Sequence, residues 1–255
     1  MASKKIITVF GATGKQGGSI VRTFLNDPKL KDAWAVRGVS RSVEGEGAKK
    51  LSAQGVEVVA ANLNDKPSLV KAMTGAAAVF AMTNYWEKMD MQLEIQQGKN
   101  LADAAKEAGV NHYIWSSLLN VTKLTNGKLP HVHHFDSKAL DAPFPVFDAG
   151  EDTGKWVKAI VLQREKLLGK RVYAATAYLT PLEMIAGFKK VFPQAGASAS
   201  FLSTSHEQFV GALTGSGMPE EETSGGEDLS LDILEDKPTT WEEHLRKSPA
   251  TKDLQ

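Results

Sequence analysis

The stretch KKIITVFGATGKQGGS, Lys4 to Ser19, decides the fold. It begins with a short apolar, β-branched run, Ile6 to Phe10, and continues through Gly11, Gly14 and Gly17 at a spacing of three. An amphipathic helical pattern follows, with Ile20, Val21, Phe24 and Leu25 on one side. A buried strand, a glycine turn and a helix start form the first unit of a dinucleotide-binding βαβ fold. Gly11 lets the chain turn sharply at the end of the strand. Gly14 lets backbone N–H groups approach a pyrophosphate with no Cβ in the way, and Gly17 lets the helix pack close to the strand. Thr13, Lys15 and Gln16 complete the phosphate-facing loop. The first free N–H groups of the helix and its positive dipole end face the phosphates. A merely structural glycine turn is the alternative. The order strand, turn, helix favours the cofactor.

Working outward, Ala33 to Ser40 reads as the second strand and ends in Ser40-Arg41-Ser42. In this fold the end of the second strand faces the adenine ribose. An acid there binds the 2′-hydroxyl of NAD, and an arginine accepts the 2′-phosphate of NADP. Ser40 and Arg41 are followed by no acid until Glu44, so NADP is preferred and NAD is the weaker expectation; a solvated surface arginine is the alternative. Residues 46–54 read as a helix capped by Gly55. Val56 to Ala61 is the third strand, and Asn62 and Leu63 after it offer an amide edge and an apolar face to an adenine. The same loop also reads as an ordinary helix start, with Asp65 as N-cap and Pro67 in the first turn. Lys66 to Met73 is a short helix and Ala76 to Met82 the fourth strand. Thr83, Asn84 and Tyr85, followed by Trp86, then fall on the same sheet edge as the glycine turn, where a hydroxyl, an amide and aromatic rings suit ribose and nicotinamide. A packing lid without a ligand is the plain alternative. Met89 to Ala108 is a long helix ended by Gly109, and Asn111 to Trp115 is the fifth strand, ending in Ser116-Ser117.

Beyond it, His131, His133, His134 and Asp136 invite a metal reading. Adjacent residues point apart on a helix, however, and no further partner has ligand spacing, so no metal site is expected. His134 and Lys138 share one face if this segment is helical. Pro143 to Phe147 is a short extended run. Asp152-Thr153-Gly154 opens a helix through Leu168, ended by Gly169, and Arg171 to Thr176 reads as a strand. Thr180-Pro181-Leu182-Glu183 is a capping box that opens a helix to Phe192. Ala197 to Ser203 is a further candidate strand, and Ser205-His206-Glu207-Gln208 a second capping box. Pro219 to Asp228 reads as a polar loop, and Thr240 to Glu243 caps a final short helix. The fold class expected is α/β: a Rossmann-type doubly wound parallel sheet over residues 1–141, with a smaller α/β part over 142–255.

The 255 residues suffice for a full core, and thirty basic residues balance thirty acidic ones. Without a basic excess, direct nucleic-acid binding is disfavoured. There is no cysteine, which removes disulfides, thiolate catalysis and Cys-based zinc sites. No apolar signal segment precedes the first strand and no run approaches the ~20 residues of a bilayer span, so a soluble, cytoplasmic protein with no membrane partner is expected.

The turn GATGKQGGS, the Ser40-Arg41 pair, TNYWE at 83–87, KEAGV at 106–110, HFDSK at 134–138, PFPVFDAGEDTG at 143–154 and TTWEEHLRKSPA near the C-terminus together resemble the NmrA-like proteins. These are atypical relatives of the short-chain dehydrogenase/reductases that include regulators of nitrogen metabolite repression. The resemblance implies a Rossmann domain that binds NAD(P), often preferring NADP. It also implies a role in sensing cofactor redox state through a protein partner such as a transcription factor, in the cytoplasm or nucleus, while other relatives are reductases. Enzymes of the parent superfamily use a Tyr-x-x-x-Lys pair with a nearby serine. Here His134 occupies the tyrosine position, Lys138 is kept as a ribose holder, and Ser117 or Ser116 is the candidate serine. Family members usually carry a further helix and strand between this motif and the PFP stretch. Five residues from Lys138 to Pro143 cannot hold such a crossover. A regulator without efficient catalysis is therefore favoured over an NADPH-dependent reductase, and both over an apo scaffold.

Overall fold

The computed structural model describes residues 3–117, 144–179, 181–200 and 229–254. Five parallel strands carry the first part: β1 Lys5–Phe10, β2 Trp34–Ser40, β3 Glu57–Ala60, β4 Ala78–Ala81 and β5 Tyr113–Trp115. Their order across the sheet is β3-β2-β1-β4-β5. The chain moves outward from β1 to one side and then crosses back to the other, so the order reverses between β1 and β4. Register is continuous: Phe10 lies opposite Val39, Val9 opposite Phe80, and Ala81 opposite Trp115. β1 and β4 are almost wholly buried, which is why they read as continuous apolar runs rather than alternating ones.

Helices α1 Lys15–Asn26, α2 Glu46–Ala53, α3 Lys66–Met73 and α4 Met91–Glu107 link the strands. They cover the sheet on two faces. One core gathers Ile7, Val9, Ile20, Phe24 and Leu30; the other gathers Phe10, Leu69, Met73, Val79 and Leu101. The α4 start is held by Asp90, whose carboxylate accepts the Leu93 N–H at 3.0 Å. At α3, Asp65 occupies the N-cap without a side-chain bond, and the Ser68 hydroxyl instead donates back to the Asp65 carbonyl.

The described chain divides into two compact units, and the first comprises residues 1–117 together with 149–171. In that second piece α5, Thr153–Leu162, packs along α1. A Cβ on Gly154 would meet the Thr23 side chain and the Ser19 carbonyl at 2.5 Å or closer, so only glycine permits this contact. The Gly154 N–H donates to the Ser19 hydroxyl at 2.9 Å, and Lys158 pairs with Asp27 at 2.6 Å in a largely buried site. Burial alone would raise the Asp27 carboxyl; the Lys158 hydrogen bond and the Lys29 N–H outweigh it and hold the group below the usual aspartate range. A one-turn helix, α6, Arg164–Leu167, follows.

The second unit contains β6 Phe144–Val146 paired antiparallel with β7 Ala177–Leu179. The extended run at Phe144 thus belongs to a separate two-stranded sheet. No strand forms over Arg171–Thr176. There the Ala175 N–H bonds to the Tyr173 carbonyl two residues back, a turn that takes the donor out of any ladder. The described part of the Ala197–Ser203 candidate is also turn, with the Ala199 N–H on the Gly196 carbonyl. Helix α7, Pro181–Val191, packs against α9, Trp241–Lys247; between them in sequence lies the short α8, Leu229–Ile233. The Trp241 indole donates to the Met184 carbonyl at 2.9 Å. The capping box at Thr240–Glu243 forms in both directions, and its donors hold the Glu243 carboxyl at about 2. The capping boxes expected at Thr180 and Ser205 involve residues outside those described.

Candidate functional site

The carboxyl ends of β1 to β5 lie along one sheet edge, and the glycine turn sits at its centre. Gly11 closes β1 with φ +66°, a backbone that side-chain-bearing residues rarely adopt. The Gly14 N–H then bonds to the Gly11 carbonyl at 2.8 Å, which folds the turn back on itself. Gly14 is the N-cap of α1, with extended backbone and no side-chain cap, so the first N–H groups of α1 are not satisfied by a capping side chain. A Cβ on Gly17 would lie 2.3 Å from the Gly11 carbonyl oxygen and 2.8 Å from the Ala12 Cα, so any side chain there would push α1 off the strand. A Cβ on Gly14 meets only the Gly11 oxygen, at 3.3 Å, and otherwise points into open space. Gly11, Thr13, Gly14 and Lys15 are exposed, Gln16 is half-buried and Gly17 is buried.

The other expected residues line the same edge. Ser40, the last residue of β2, donates its hydroxyl to the Ser42 carbonyl at 2.9 Å and so shapes the bend after the strand. Arg41 follows it and pairs with Glu87 at 2.6 Å. Asn62 turns its side-chain oxygen to the Asn64 N–H, 2.9 Å, and is exposed; Leu63 packs against the second core and its carbonyl accepts from Asn100 at 2.9 Å. Thr83 donates to Glu94 of α4 at 2.7 Å. Asn84 and Tyr85 open a short 3-10 turn, Tyr85–Glu87, in which the Tyr85 and Trp86 rings meet edge to face at 5.8 Å. At the end of β5 the Ser116 hydroxyl donates to Gln16 Oε1 at 3.0 Å, tying the fifth strand to the first turn of α1. Ser117 is exposed beside it. His134 and Lys138 lie outside the described residues, as does the His131–Asp136 cluster. Among the described residues no group of three or more His, Asp or Glu is placed to hold a metal ion, and no helix is long and apolar enough to cross a membrane.

Sequence reasoning missed Glu87, Glu94 and Gly47. Gly47 of α2 stands so close to Thr13 that a Cβ would approach its methyl to 2.9 Å, so α2 borders the phosphate-facing loop. Glycine in a helix interior lowers helix propensity, and that was the available signal. The acids gave none, because their partners lie 46 and 11 residues away.

A cavity of about 540 Å³ lies at the opposite edge, bordered by Lys5, Trp34, His112 and Arg164, and does not touch the glycine turn. His112 is buried there, and burial first, then the Arg164 charge, pull its pKa below the ordinary value.

The arrangement at the carboxyl edge fits a dinucleotide: a cradle that a Cβ would fill, a helix start without a capping side chain, and an exposed arginine at the second strand's end. The NmrA-like family profile matches residues 3–140, more than half of the chain, and the chain belongs to that family. It is 38% identical over 140 residues to the NmrA-like family domain-containing oxidoreductase malD of Malbranchea aurantiaca, a match that spans 53% of this chain and 40% of that protein. The chain thus covers about two-fifths of the length of the curated relatives it matches. Among solved structures it resembles NmrA, a negative transcriptional regulator, in complex with NAD, at TM-score 0.71 and 21% identity over 98% of this chain and 97% of that one. It also resembles an NADPH-dependent quinone oxidoreductase of Escherichia coli complexed with NADPH, at TM-score 0.65 and 19% identity over 94% of this chain and 98% of that one. At these identities the structural likeness establishes the fold alone, the α/β fold shared with those two structures.

Proposed function

We propose that this chain is an NADP-binding sensor that acts by docking on a protein partner, such as a transcription factor, in the cytoplasm or nucleus, without efficient catalysis. The observation that carries the cofactor half is the Gly17 approach. The Gly11 carbonyl oxygen lies 2.3 Å from where a Gly17 Cβ would stand, and a helix start pressed that close to the strand end has a purpose if its N–H groups must reach a pyrophosphate. Gly11, Thr13, Gly14, Lys15, Gln16 and Gly17 would hold the pyrophosphate, Ser40 and Arg41 the 2′-phosphate, Asn62 and Leu63 the adenine. Thr83, Asn84 and Tyr85 would flank the nicotinamide ribose, with Lys138 on its hydroxyls. The bound cofactor would supply a hydride acceptor or donor at the end of β4 and β5.

The regulatory half rests on the proton that reduction needs. A carbonyl becoming an alcohol requires an acid within hydrogen-bond reach of the developing oxyanion. In the sequence His134 stands where the parent superfamily has a tyrosine, and an imidazole is shorter in reach than a phenol. The Ser116–Gln16 bond favours the second reading, an NADPH-dependent reductase, because it brings a strand-end hydroxyl to the cofactor loop. The two part in one assay: NADPH oxidation over aldehydes, ketones, quinones and enones. The sensor reading expects background rates, with cofactor affinity unchanged in His134→Ala and weakened in Lys138→Ala. Stereospecific hydride transfer abolished in His134→Ala would establish the reductase.

A further inference from the structure

Arg41 and Glu87 come from opposite sides of the site. Arg41 follows β2 and Glu87 closes the 3-10 turn after β4, while β1 with its glycine turn runs between those two strands. Their side chains meet at 2.6 Å, Nη1 to Oε1, so the ion pair spans the switch point where a dinucleotide would lie. Arg41 is 79% exposed and Glu87 41%, which leaves both open to a ligand. The end of β2 itself carries no acid before Glu44, and Glu44 is turned to Lys49 at 3.5 Å.

We propose that Glu87 is a specificity residue that supplies, from the β4 side, the acid missing from β2, and that it competes with the cofactor's 2′-phosphate for Arg41. This rests on the dinucleotide reading of the site. A 2′-hydroxyl is a neutral donor and finds a carboxylate acceptor in Glu87. A 2′-phosphate carries about −1.5 to −2 charges near neutral pH and wants the same guanidinium that Glu87 already holds. Taking Arg41 leaves the carboxylate unpaired beside a second anion. The arginine therefore favours NADP, the glutamate favours NAD, and their pairing narrows the preference for NADP.

The test is calorimetric titration of NADP and NAD into the wild-type protein, Glu87→Gln and Glu44→Gln. For an exposed charge the change expected in Glu87→Gln is roughly three- to tenfold in the ratio of NADP to NAD affinity, toward NADP. Glu44→Gln, which removes the same charge from the neighbouring bend, should leave the ratio at the wild-type value. A Glu87→Gln ratio equal to wild type, including equal gains or equal losses for both cofactors, would overturn the proposal. So would an equal shift in Glu44→Gln, which would show only a general field. If neither cofactor binds wild type, the dinucleotide reading itself falls; binding with an unmoved ratio removes Glu87 alone.

Discussion

The two edges of the five-stranded sheet use polar groups in opposite ways. At the amino edge they are paired around one enclosed contact, Lys158 with Asp27 at 2.6 Å, beside the more exposed Arg164 on the Asn111 carbonyl at 3.0 Å and Lys5 over the Trp34 ring at 5.7 Å. At the carboxyl edge exposed groups surround a turn whose shape excludes side chains. The first arrangement holds elements distant in sequence together; the second also pairs Arg41 with Glu87 and Ser116 with Gln16, but leaves the first turn of α1 without a capping side chain. Substitutions at the amino edge should therefore alter stability and spare binding, and those at the carboxyl edge should alter binding.

Gly17 is the position where both properties meet, and it gives the largest effect. Gly17→Val forces a side chain into backbone atoms and should lower unfolding free energy by about 3 kcal/mol or more, with loss of cofactor binding. Urea unfolding followed by circular dichroism checks it; a wild-type midpoint would mean that α1 can shift freely.

Asp27→Ala tests the other edge. It leaves Lys158 buried without its carboxylate and should cost about 3 kcal/mol while cofactor affinity stays at the wild-type value. The same pair sets a pH dependence. The Asp27 carboxyl is lower in the folded chain than its ordinary 3.8, so its contribution is fully present above that pH and lost as pH falls through the folded value. Urea midpoints between pH 6 and 3 should fall at the acid end in wild type, and fall less in Asp27→Ala.

The smallest effect concerns Tyr113, whose buried hydroxyl has no hydrogen-bond partner among the described residues and whose pKa burial pushes up to about 12. Tyr113→Phe removes an unsatisfied group and should stabilise by about 1 kcal/mol without altering binding. A loss of stability on thermal melting would mean that the hydroxyl has a partner.

Most of the first unit was legible because its signals are local. Lys66–Met73 forms as its proline, cap position and apolar spacing predict, and Gly109 ends α4 with φ +69°. The five strands follow from apolar runs between those helices. Three features were not legible, and each depends on distance along the chain. The return of residues 149–171 rests on Gly154 fitting against Ser19 and on Lys158 meeting Asp27, 131 residues away. β7 lies at Ala177–Leu179 rather than Arg171–Thr176 because β6 selects the partner, not β propensity. In the site, the glycines and Arg41 could be read from motif and position, whereas Glu87 acquires a role only once the sheet order sets β2 and β4 on either side of β1.

The central claim is that the glycine turn at the carboxyl edge holds a dinucleotide. Its most direct test is calorimetric titration of NADP, NADPH, NAD and NADH into the wild-type protein and into Gly14→Val, with far-UV dichroism recorded on both. Gly14 has extended backbone and only one close neighbour, so the variant should fold with a wild-type spectrum. Wild type should show saturable binding at one site per chain, and the variant none. Undiminished affinity in a folded Gly14→Val protein would contradict it.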